Sequence, residues 1–237
     1  MMALYAIADL HLPLGTGEKK SMNIFNGWEN YVDRIEKNWR KLVKPEDTVV
    51  IAGDFSWAMR LEEAFEDFKF IESLPGKKIL LKGNHDYWWS TRKKIETYLS
   101  ENGFSSVSIL HNSMQEVGNV AVCGTRGWFY DSTCESDMKI LNREVMRLEF
   151  SISLARKTDL EPVVFLHYPP IYRDFKCEEI LKVLTENKIK RCYYGHLHGK
   201  KSISHAFIGE YEGINFQLIS GDAIGFNPIL VQWNKQV

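Results

Sequence analysis

The stretch "LLKGNHDYWW", residues 80–89, joins the end of an apolar run to three polar side chains in a row. The run itself, "KILLKG" at 78–83, has the length and composition of a buried β-strand. Asn84, His85 and Asp86 follow it directly. A surface turn would explain their polarity, whereas a metal site would explain the choice of amide, imidazole and carboxylate. The rest of the chain distinguishes between these alternatives.

Other short apolar runs share this character and are also predicted to be strands. They are "ALYAIA" (3–8), "TVVIAG" (48–53), "VAVCG" (120–124), "PVVFLH" (162–167) and "RCYYGH" (191–196). Apolar residues at 3- and 4-residue steps predict amphipathic helices between the early strands. They are Trp28, Val32, Ile35, Trp39 and Leu42, then Leu61, Ala64, Phe65, Phe68 and Ile71. The alternation of strand and helix predicts an α/β fold built from βαβ units.

The later part of the chain contributes two more helices and a different kind of tail. A long helix is predicted over about Asp137 to Arg156, and a shorter one over about Glu178 to Leu184. The tail at 201–221 has no helical period and, with "NPILVQW" at 227–233, predicts antiparallel strands that add a second sheet.

Residues 12–27 contain Gly, Pro and Asn without periodicity, which predicts a long mobile loop. The chain shows neither a repeat nor a domain boundary. We therefore expect a single domain over 1–237.

Composition excludes several classes of protein. The 237 residues are 44% hydrophobic and 26% charged with a net charge of -1, so the basic surface of a dedicated nucleic-acid binder is absent. Asp9 interrupts the N-terminal apolar run too early for a signal peptide or a membrane span, which favours a cytoplasmic protein. The oligomeric state stays open. The cysteines have no CxxC spacing and are interpreted as structural thiols: Cys123, Cys134, Cys177 and Cys192.

Polar side chains recur where the predicted strands end, which is where open α/β sheets bind ligands. They are Asp9 and His11, Asp54, Asn84 with His85 and Asp86, His167, and His196 with His198. Five of the seven histidines of the chain fall in these clusters. Each residue taken alone has a structural explanation, such as a strand-closing turn or a helix N-cap at Asp54. Together they form a ligand set for two divalent metals of the Mn, Fe or Zn kind.

A pair of metals places a further demand on the site. Two dications about 3.5–4 Å apart repel each other by on the order of 18 kcal/mol at an effective dielectric of about 20. A bridging carboxylate and a shared hydroxide would offset this repulsion. The hydroxide would also be a nucleophile, because a metal lowers the pKa of bound water from 15.7 to about 7.

The ordered motifs D-x-H, GD, GNHD, a lone His after a strand and GHLH resemble those of the calcineurin-like metallophosphoesterases. They begin at Asp9, Gly53, Gly83, His167 and Gly195, and the resemblance covers residues 4–198. It implies a four-layer αββα sandwich of two mixed β-sheets flanked by helices, with a dinuclear metal centre.

The resemblance also implies a role for each motif residue. Asp9, His11 and His198 would hold one metal, Asn84, His167 and His196 the other, and Asp54 would bridge them. His85 would be catalytic, assisting the leaving oxygen while the bridging hydroxide attacks phosphorus.

The sequence departs from the family pattern at one position. The protein-phosphatase branch reads GD-x-x-D, whereas "GDFSW" places Trp57 at the second Asp. That Asp orients the catalytic His, and the adjacent Asp86 is a weak substitute for it. The departure favours a small phosphodiester or phosphomonoester over a phosphoprotein as substrate. It also leaves open a catalytically impaired metal-binding scaffold, and the fold itself leaves open a nuclease.

Two further residues are candidate substrate contacts. Arg126 in "GTRGW" follows a strand and could pair with a phosphate oxygen, or instead form a surface salt bridge. Trp88, with Tyr87 and Trp89 beside it, could wall a pocket and stack on a base or aryl group, or instead belong to the core.

Overall fold

The computed structural model describes residues 2–17, 20–128 and 135–231, and for 135 and 136 the backbone alone. Its larger helices are α1 (Tyr31–Leu42), α2 (Phe65–Ser73), α3 (Arg92–Glu101), α4 (Glu135–Ala155), α5 (Glu178–Glu186) and α6 (Lys200–Ile203). Short 3-10 helices cover Met22–Ile24 and Leu61–Ala64. The strands are β1 (Leu4–Ile7), β2 (Thr48–Ala52), β3 (Lys77–Leu81), β4 (Val107–Ile109), β5 (Gln115–Val117), β6 (Val120–Thr125), β7 (Glu161–Leu166), β8 (Ile171–Tyr172), β9 (Phe175–Lys176), β10 (Arg191–Tyr194), β11 (Gly209–Tyr211), β12 (Ile214–Leu218) and β13 (Ile229–Leu230).

The strands form two large mixed sheets. The first has the order β13-β1-β2-β3-β4, in which β1 to β4 are parallel and β13 is antiparallel to β1. The second has the order β11-β12-β10-β7-β6-β5, with parallel pairing from β12 to β6 and an antiparallel strand at each edge. Strands β8 and β9 form a separate small pair. Parallel central strands bring their carboxyl ends to one edge of each sheet.

Three apolar clusters separate four layers. One lies between the first sheet and helices α1, α2 and α3, and it contains Ile51 and Trp39. A second lies between the two sheets and contains Val50 and Phe165. The third packs α4 and α5 on the outer face of the second sheet. Val50 and Ile51 point to opposite faces because side chains alternate along a strand. The architecture is therefore the expected αββα sandwich, with both sheets buried on both faces.

The structure confirms the predicted strands and helices with small shifts of their ends. The helix predicted over 137–156 is observed at Glu135–Ala155, and the one predicted over 178–184 extends to Glu186. The pattern at 61–71 begins as a 3-10 turn before α2. Hydrophobic periodicity predicted the position of each element because the spacing of buried residues in a helix or strand is a local property of the sequence.

The prediction for the tail was partly wrong. Strand β12 pairs in parallel with β10, and β13 joins the first sheet instead of the second. Residues 200–203 form a short helix. An alternating pattern reports which side chains are buried, whereas strand direction and partner depend on long-range pairing. Residues 232–237, at the end of the predicted last strand, lie outside the described residues.

The segment predicted as a mobile loop, 12–27, is anchored over much of its length. Leu12 is fully buried and its N–H donates to the Phe55 carbonyl oxygen. The Ser21 hydroxyl caps the 3-10 helix that follows, and Met22 is buried. Glu18 and Lys19 lie outside the described residues.

The thiols within the described residues are free and buried, at Cys123, Cys177 and Cys192. Burial raises the pKa of Cys177 to about 11 and that of Cys123 to about 12, which suits unreactive core thiols. Cys134 lies outside the described residues. Among the helices described, none is long and apolar enough to cross a membrane.

Candidate metal centre

The predicted ligands gather where the two sheets meet at their carboxyl edges. The Asp9 carboxylate, after β1, accepts the backbone N–H of His196, after β10, at 2.9 Å. The Nδ1 atom of His167, after β7, lies 3.1 Å from the carbonyl oxygen of Ala52 at the end of β2. Side chains from both sheets therefore share one buried cluster.

The backbone at these strand ends is unusual. Asp9, His11, Asp54 and His196 have φ values of 57°, 45°, 52° and 71°, in the left-handed region that few non-glycine residues occupy. This conformation turns each chain sharply as it leaves its strand. Such strained positions persist where the surrounding structure holds them, and they are common at functional sites.

Asp54 lies at the middle of the cluster. Its Oδ2 atom is 3.6 Å from His11 Nε2 and 3.5 Å from His167 Nε2. Its Oδ1 atom accepts the backbone N–H of His85 at 2.8 Å. Ligand atoms of Asp9, His11 and Asp54 all lie within 4.8 Å of one another, which is close enough to hold one metal ion.

Asn84 forms the centre of the other half of the cluster. Its Oδ1 atom lies 2.6 Å from His167 Nε2 and 2.8 Å from His196 Nδ1. The Ala52 carbonyl can only accept a hydrogen bond, so Nδ1 of His167 carries the proton. The Nε2 atom of the neutral ring is left with a lone pair, which faces the Asn84 and Asp54 oxygens. A backbone carbonyl that fixes the tautomer in this way is typical of a metal-ligating histidine.

Several buried atoms of the cluster need a cation. Within the described part of the chain, neither ring nitrogen of His11 has a hydrogen-bond partner, nor does Asp54 Oδ2. Burial, followed by the neighbouring carboxylates, raises the pKa of Asp54, and burial lowers the pKa of His11 and of His167. Neutral imidazoles and carboxylate oxygens aimed at a common space are the ligands that Mn, Fe and Zn accept, so these residues fit such metals.

His198 lies beside His11. Its ring meets the His11 ring edge to face, with centroids 5.3 Å apart. Asp222, which the sequence analysis did not single out, belongs beside it. Asp222 Oδ2 accepts the Gly199 N–H at 2.6 Å, and its charge acts to raise the pKa of His198, although burial lowers that pKa overall. The signal was a Gly-Asp pair directly after the predicted tail strand.

Two glycines of the motifs leave room for this cluster. A Cβ at Gly83 would lie 2.1 Å from Asp54 Oδ1, and a Cβ at Gly53 would lie 2.5 Å from His167 Nδ1. Gly53 also has a φ of 94°, which L residues rarely adopt. The GD and GNHD motifs therefore have a steric reason for their glycines.

A family model described as calcineurin-like phosphoesterase matches residues 2–200. The chain belongs to this family. No curated protein sequence matches the chain significantly.

Solved structures similar to this chain share the fold at low identity. A protein of unknown function from Aquifex aeolicus is 18% identical with a TM-score of 0.51, and the match covers 97% of this chain and 96% of that one. Phosphopantetheinyl hydrolase from Mycobacterium tuberculosis is 14% identical with a TM-score of 0.52, covering 92% of this chain and 88% of that one. At these identities the likeness extends to the fold alone.

The position of the second Asp in the family motif is filled differently here. The Trp57 ring stacks on the His11 ring at 4.6 Å between centroids with a tilt of 21°, and its centroid is 4.8 Å from that of His85. Within the described residues its indole nitrogen has no hydrogen-bond partner. Trp57 therefore packs against His11 and His85 from one side in this member of the family.

Asp86 has a structural role that the sequence did not reveal. It is fully buried, and its carboxylate accepts the backbone N–H groups of Asp54, Gly83 and Phe55 at 2.9, 2.7 and 2.9 Å. Trp88 Nε1 donates to it as well, at 2.9 Å. Through these hydrogen bonds the Asp86 side chain connects the loop after β2 to the loop after β3. Within the described residues, no contact between Asp86 and the His85 ring is observed.

The two candidate substrate contacts differ in their surroundings. Trp88 is 2% exposed and packs in the core against Phe55 and Phe68, so the expectation that it lines a substrate pocket is corrected: its burial leaves no surface for a ligand. Arg126 is partly exposed, lies 4.9 Å over the Trp128 ring and has Nη2 4.0 Å from Glu144 Oε1. Its backbone oxygen accepts the N–H of His167 at 3.1 Å, which places it beside the centre.

Proposed function

We propose that this protein is a phosphohydrolase that uses two divalent metals to cleave a small phosphodiester or phosphomonoester. The observation that carries the proposal is the position of Asp54 Oδ2, an unpartnered buried oxygen about equally far from His11 and His167. An oxygen in that place suits a shared ligand between two ions. Hydrolysis is the chemistry that such a pair of ions supports.

The ligand sets follow the two halves of the cluster. Asp9, His11 and His198 would hold one metal, and Asn84, His167 and His196 the other, with Asp54 shared. When bound, the two ions would supply Lewis acidity and lower the pKa of water toward neutrality. Mn, Fe and Zn all accept this mixture of oxygen and imidazole ligands.

His85 would act on the substrate and not on a metal. Its backbone N–H is held by Asp54 at 2.8 Å, which fixes the start of the side chain beside the centre. The ring is half-buried, and burial lowers the pKa of His85. From this position the imidazole would donate a hydrogen bond or a proton to the leaving oxygen.

Charge at the centre favours an anionic substrate. Two dications, the carboxylates of Asp9 and Asp54 and a shared hydroxide would leave a net charge of about +1, which attracts a phosphoester. The Trp57 substitution supports a small molecule over a phosphoprotein, because the usual orienting carboxylate is replaced by an indole. A cytoplasmic location stays a prediction from the sequence.

Turnover measured with defined metals tests the proposal. Protein freed of metal and reloaded with Mn, Fe or Zn would be assayed with p-nitrophenyl phosphate and bis-p-nitrophenyl phosphate. We expect hydrolysis of at least one of them, dependent on the added metal. Two bound metals without any turnover would contradict the proposal and favour a scaffold, whereas cleavage of single-stranded DNA at low salt would indicate a nuclease.

A further inference from the structure

A cavity of about 330 Å³ lies beside the metal centre and is strongly basic. Its volume falls within the range of about 300–1,000 Å³ that is common for small-molecule sites. The charged or ionisable side chains that line it are Lys82, His111, Arg126, Arg143, Glu144 and Arg147. It is formed where the ends of β3 and β6 meet helix α4.

Positive charge in the cavity exceeds negative charge. Among the described residues that line the cavity, four side chains are cationic and one, Glu144, is a carboxylate. Burial and the nearby Arg147 guanidinium hold the pKa of His111 below its usual value, so that ring adds no charge at neutral pH. The excess of three positive charges inside a concave, partly buried surface attracts and orders an anion.

Internal ion pairs account for only part of these cations. Glu144 is almost fully buried, and its carboxylate accepts hydrogen bonds from the Thr125 hydroxyl and from Arg147 Nη1, the latter at 2.6 Å. Its contact with Arg126 is longer, at 4.0 Å. The Arg126 Nε atom is buried and has no hydrogen-bond partner among the described residues. One carboxylate already engaged by two donors does not balance four cations.

Two residues that line the cavity lie close along the backbone to proposed metal ligands. Lys82 stands two residues before Asn84, so their Cα atoms are at most about 7 Å apart. The Arg126 carbonyl accepts the backbone N–H groups of His167 and Tyr168 at 3.1 and 2.9 Å. The cavity and the proposed ligands therefore lie at the same carboxyl edge of the sheets, beside each other.

We propose that this cavity binds a second anionic group of the substrate, so that the natural substrate is a small phosphoester with a further phosphate or carboxylate. Lys82, Arg126 and Arg147 would pair with that group, because guanidinium and ammonium donors match carboxylate and phosphate oxygens. The assignment rests on the proposed function of the metal centre. It narrows the substrate class from any small phosphoester to a doubly anionic one.

Binding of three matched ligands tests the assignment independently of turnover. Isothermal titration would compare the binding of glycerol 3-phosphate, 3-phosphoglycerate and glycerol 1,3-bisphosphate to manganese-loaded His85→Ala protein, in which hydrolysis is slow and the cavity is unaltered. Compared with glycerol 3-phosphate, 3-phosphoglycerate has a carboxylate in place of the terminal hydroxymethyl group, and glycerol 1,3-bisphosphate has a second phosphate. We expect at least one of them to bind about tenfold or more tightly than glycerol 3-phosphate, because its second anion would gain charge-assisted hydrogen bonds in the cavity. The better of the two identifies the second anion.

Substitutions in the cavity should abolish that preference. Lys82→Met and Arg147→Met are expected to bring the affinity ratio close to unity, while Lys82→Arg retains it. Lys77→Met is the matched control, because Lys77 is exposed at the opposite end of the same strand β3. If Lys82→Met or Arg147→Met fails to fold, Arg126→Met serves in its place, since Arg126 is partly exposed and is the third residue assigned to the anion.

The assignment would be overturned if the three ligands bound with equal affinity to protein with an unaltered cavity. It would also be overturned if the preference for a doubly anionic ligand survived both Lys82→Met and Arg147→Met. These outcomes differ from a failure of the proposed function. In that case no ester would be hydrolysed with any metal, and the binding ratios would still decide whether the cavity holds an anion.

Discussion

The Asp9 carboxylate accepts the backbone N–H of His196 at 2.9 Å, although the two residues are 187 positions apart. Asp9 follows β1 in the first sheet, and His196 follows β10 in the second sheet. One hydrogen bond therefore joins the two sheets at the ends that carry the proposed metal ligands. A change in the packing of the sheets would separate the two halves of the centre.

Removing metal should lower the stability of the protein. Asp9, Asp54 and Asp86 are buried close together, and a nearby dication would offset the cost of burying their charge. Manganese at 100 times its dissociation constant would add about 2.7 kcal/mol for each site, or roughly 5–10 °C in melting temperature. Scanning calorimetry with and without chelator measures the shift.

Asp54→Asn should lose most of this metal-dependent shift, and Asp33→Asn, on the exposed face of α1, should keep it. Equal melting temperatures with and without metal would contradict a metal site.

Replacing His85 by alanine should slow turnover strongly without removing metals. The backbone N–H that donates to Asp54 is retained in His85→Ala, so the loop keeps its position. Loss of a general acid typically slows the reaction by about 10²–10⁴-fold. Steady-state kinetics and metal analysis on the same sample check both halves of the prediction. His205→Ala, an exposed histidine outside the cluster, is the control. Metal loss in His85→Ala would show that His85 is a ligand.

Asp86→Asn should destabilise the protein and weaken metal binding. The amide nitrogen of Asn would face backbone N–H donors now satisfied by a carboxylate oxygen, and each unsatisfied donor costs about 1–3 kcal/mol. We expect a loss of roughly 3–5 kcal/mol in the free energy of unfolding by urea. Manganese affinity should fall about 10–100-fold, as for other groups that support metal ligands. Trp88→Phe removes one donor to the same carboxylate and should have a smaller effect.

Asp67 should make the protein less stable as pH rises from about 4 to 7. Burial raises the pKa of Asp67 to about 7, although it accepts hydrogen bonds from Ser56 Oγ at 2.5 Å and Leu14 N at 2.8 Å. The folded state then binds a proton that the unfolded state has released, so stability is highest below the unfolded pKa. Above about pH 7 the full penalty applies, on the order of a few kcal/mol.

Urea unfolding at pH 5 and pH 8 measures this contribution. Asp67→Asn should flatten the difference, whereas the exposed Asp159→Asn should leave it unchanged. An unaltered pH dependence in Asp67→Asn would mean that the carboxyl is ionised in the folded protein throughout this range.

Local sequence patterns were enough to predict the strands, most of the helices and the place where polar side chains gather. Each buried strand corresponds to a local apolar run, and the motif that follows the run gives the residues at the strand's carboxyl end. GNHD alone placed an amide, an imidazole and a carboxylate at the carboxyl end of β3. The family resemblance extended this to a two-sheet sandwich, which the three apolar clusters confirm.

The roles of individual residues follow from contacts that local sequence patterns do not specify. Asp86 and Trp88 follow β3 and were considered as candidate site residues. Both side chains are buried, and Trp88 Nε1 donates a hydrogen bond to the Asp86 carboxylate. Asp222 joined the site because β12 pairs in parallel with β10, a pairing that no local pattern specifies. The basic cavity needs β3, β6 and α4 together. Side-chain convergence depends on contacts between distant segments, and those contacts arise from burial and strand pairing across the whole chain.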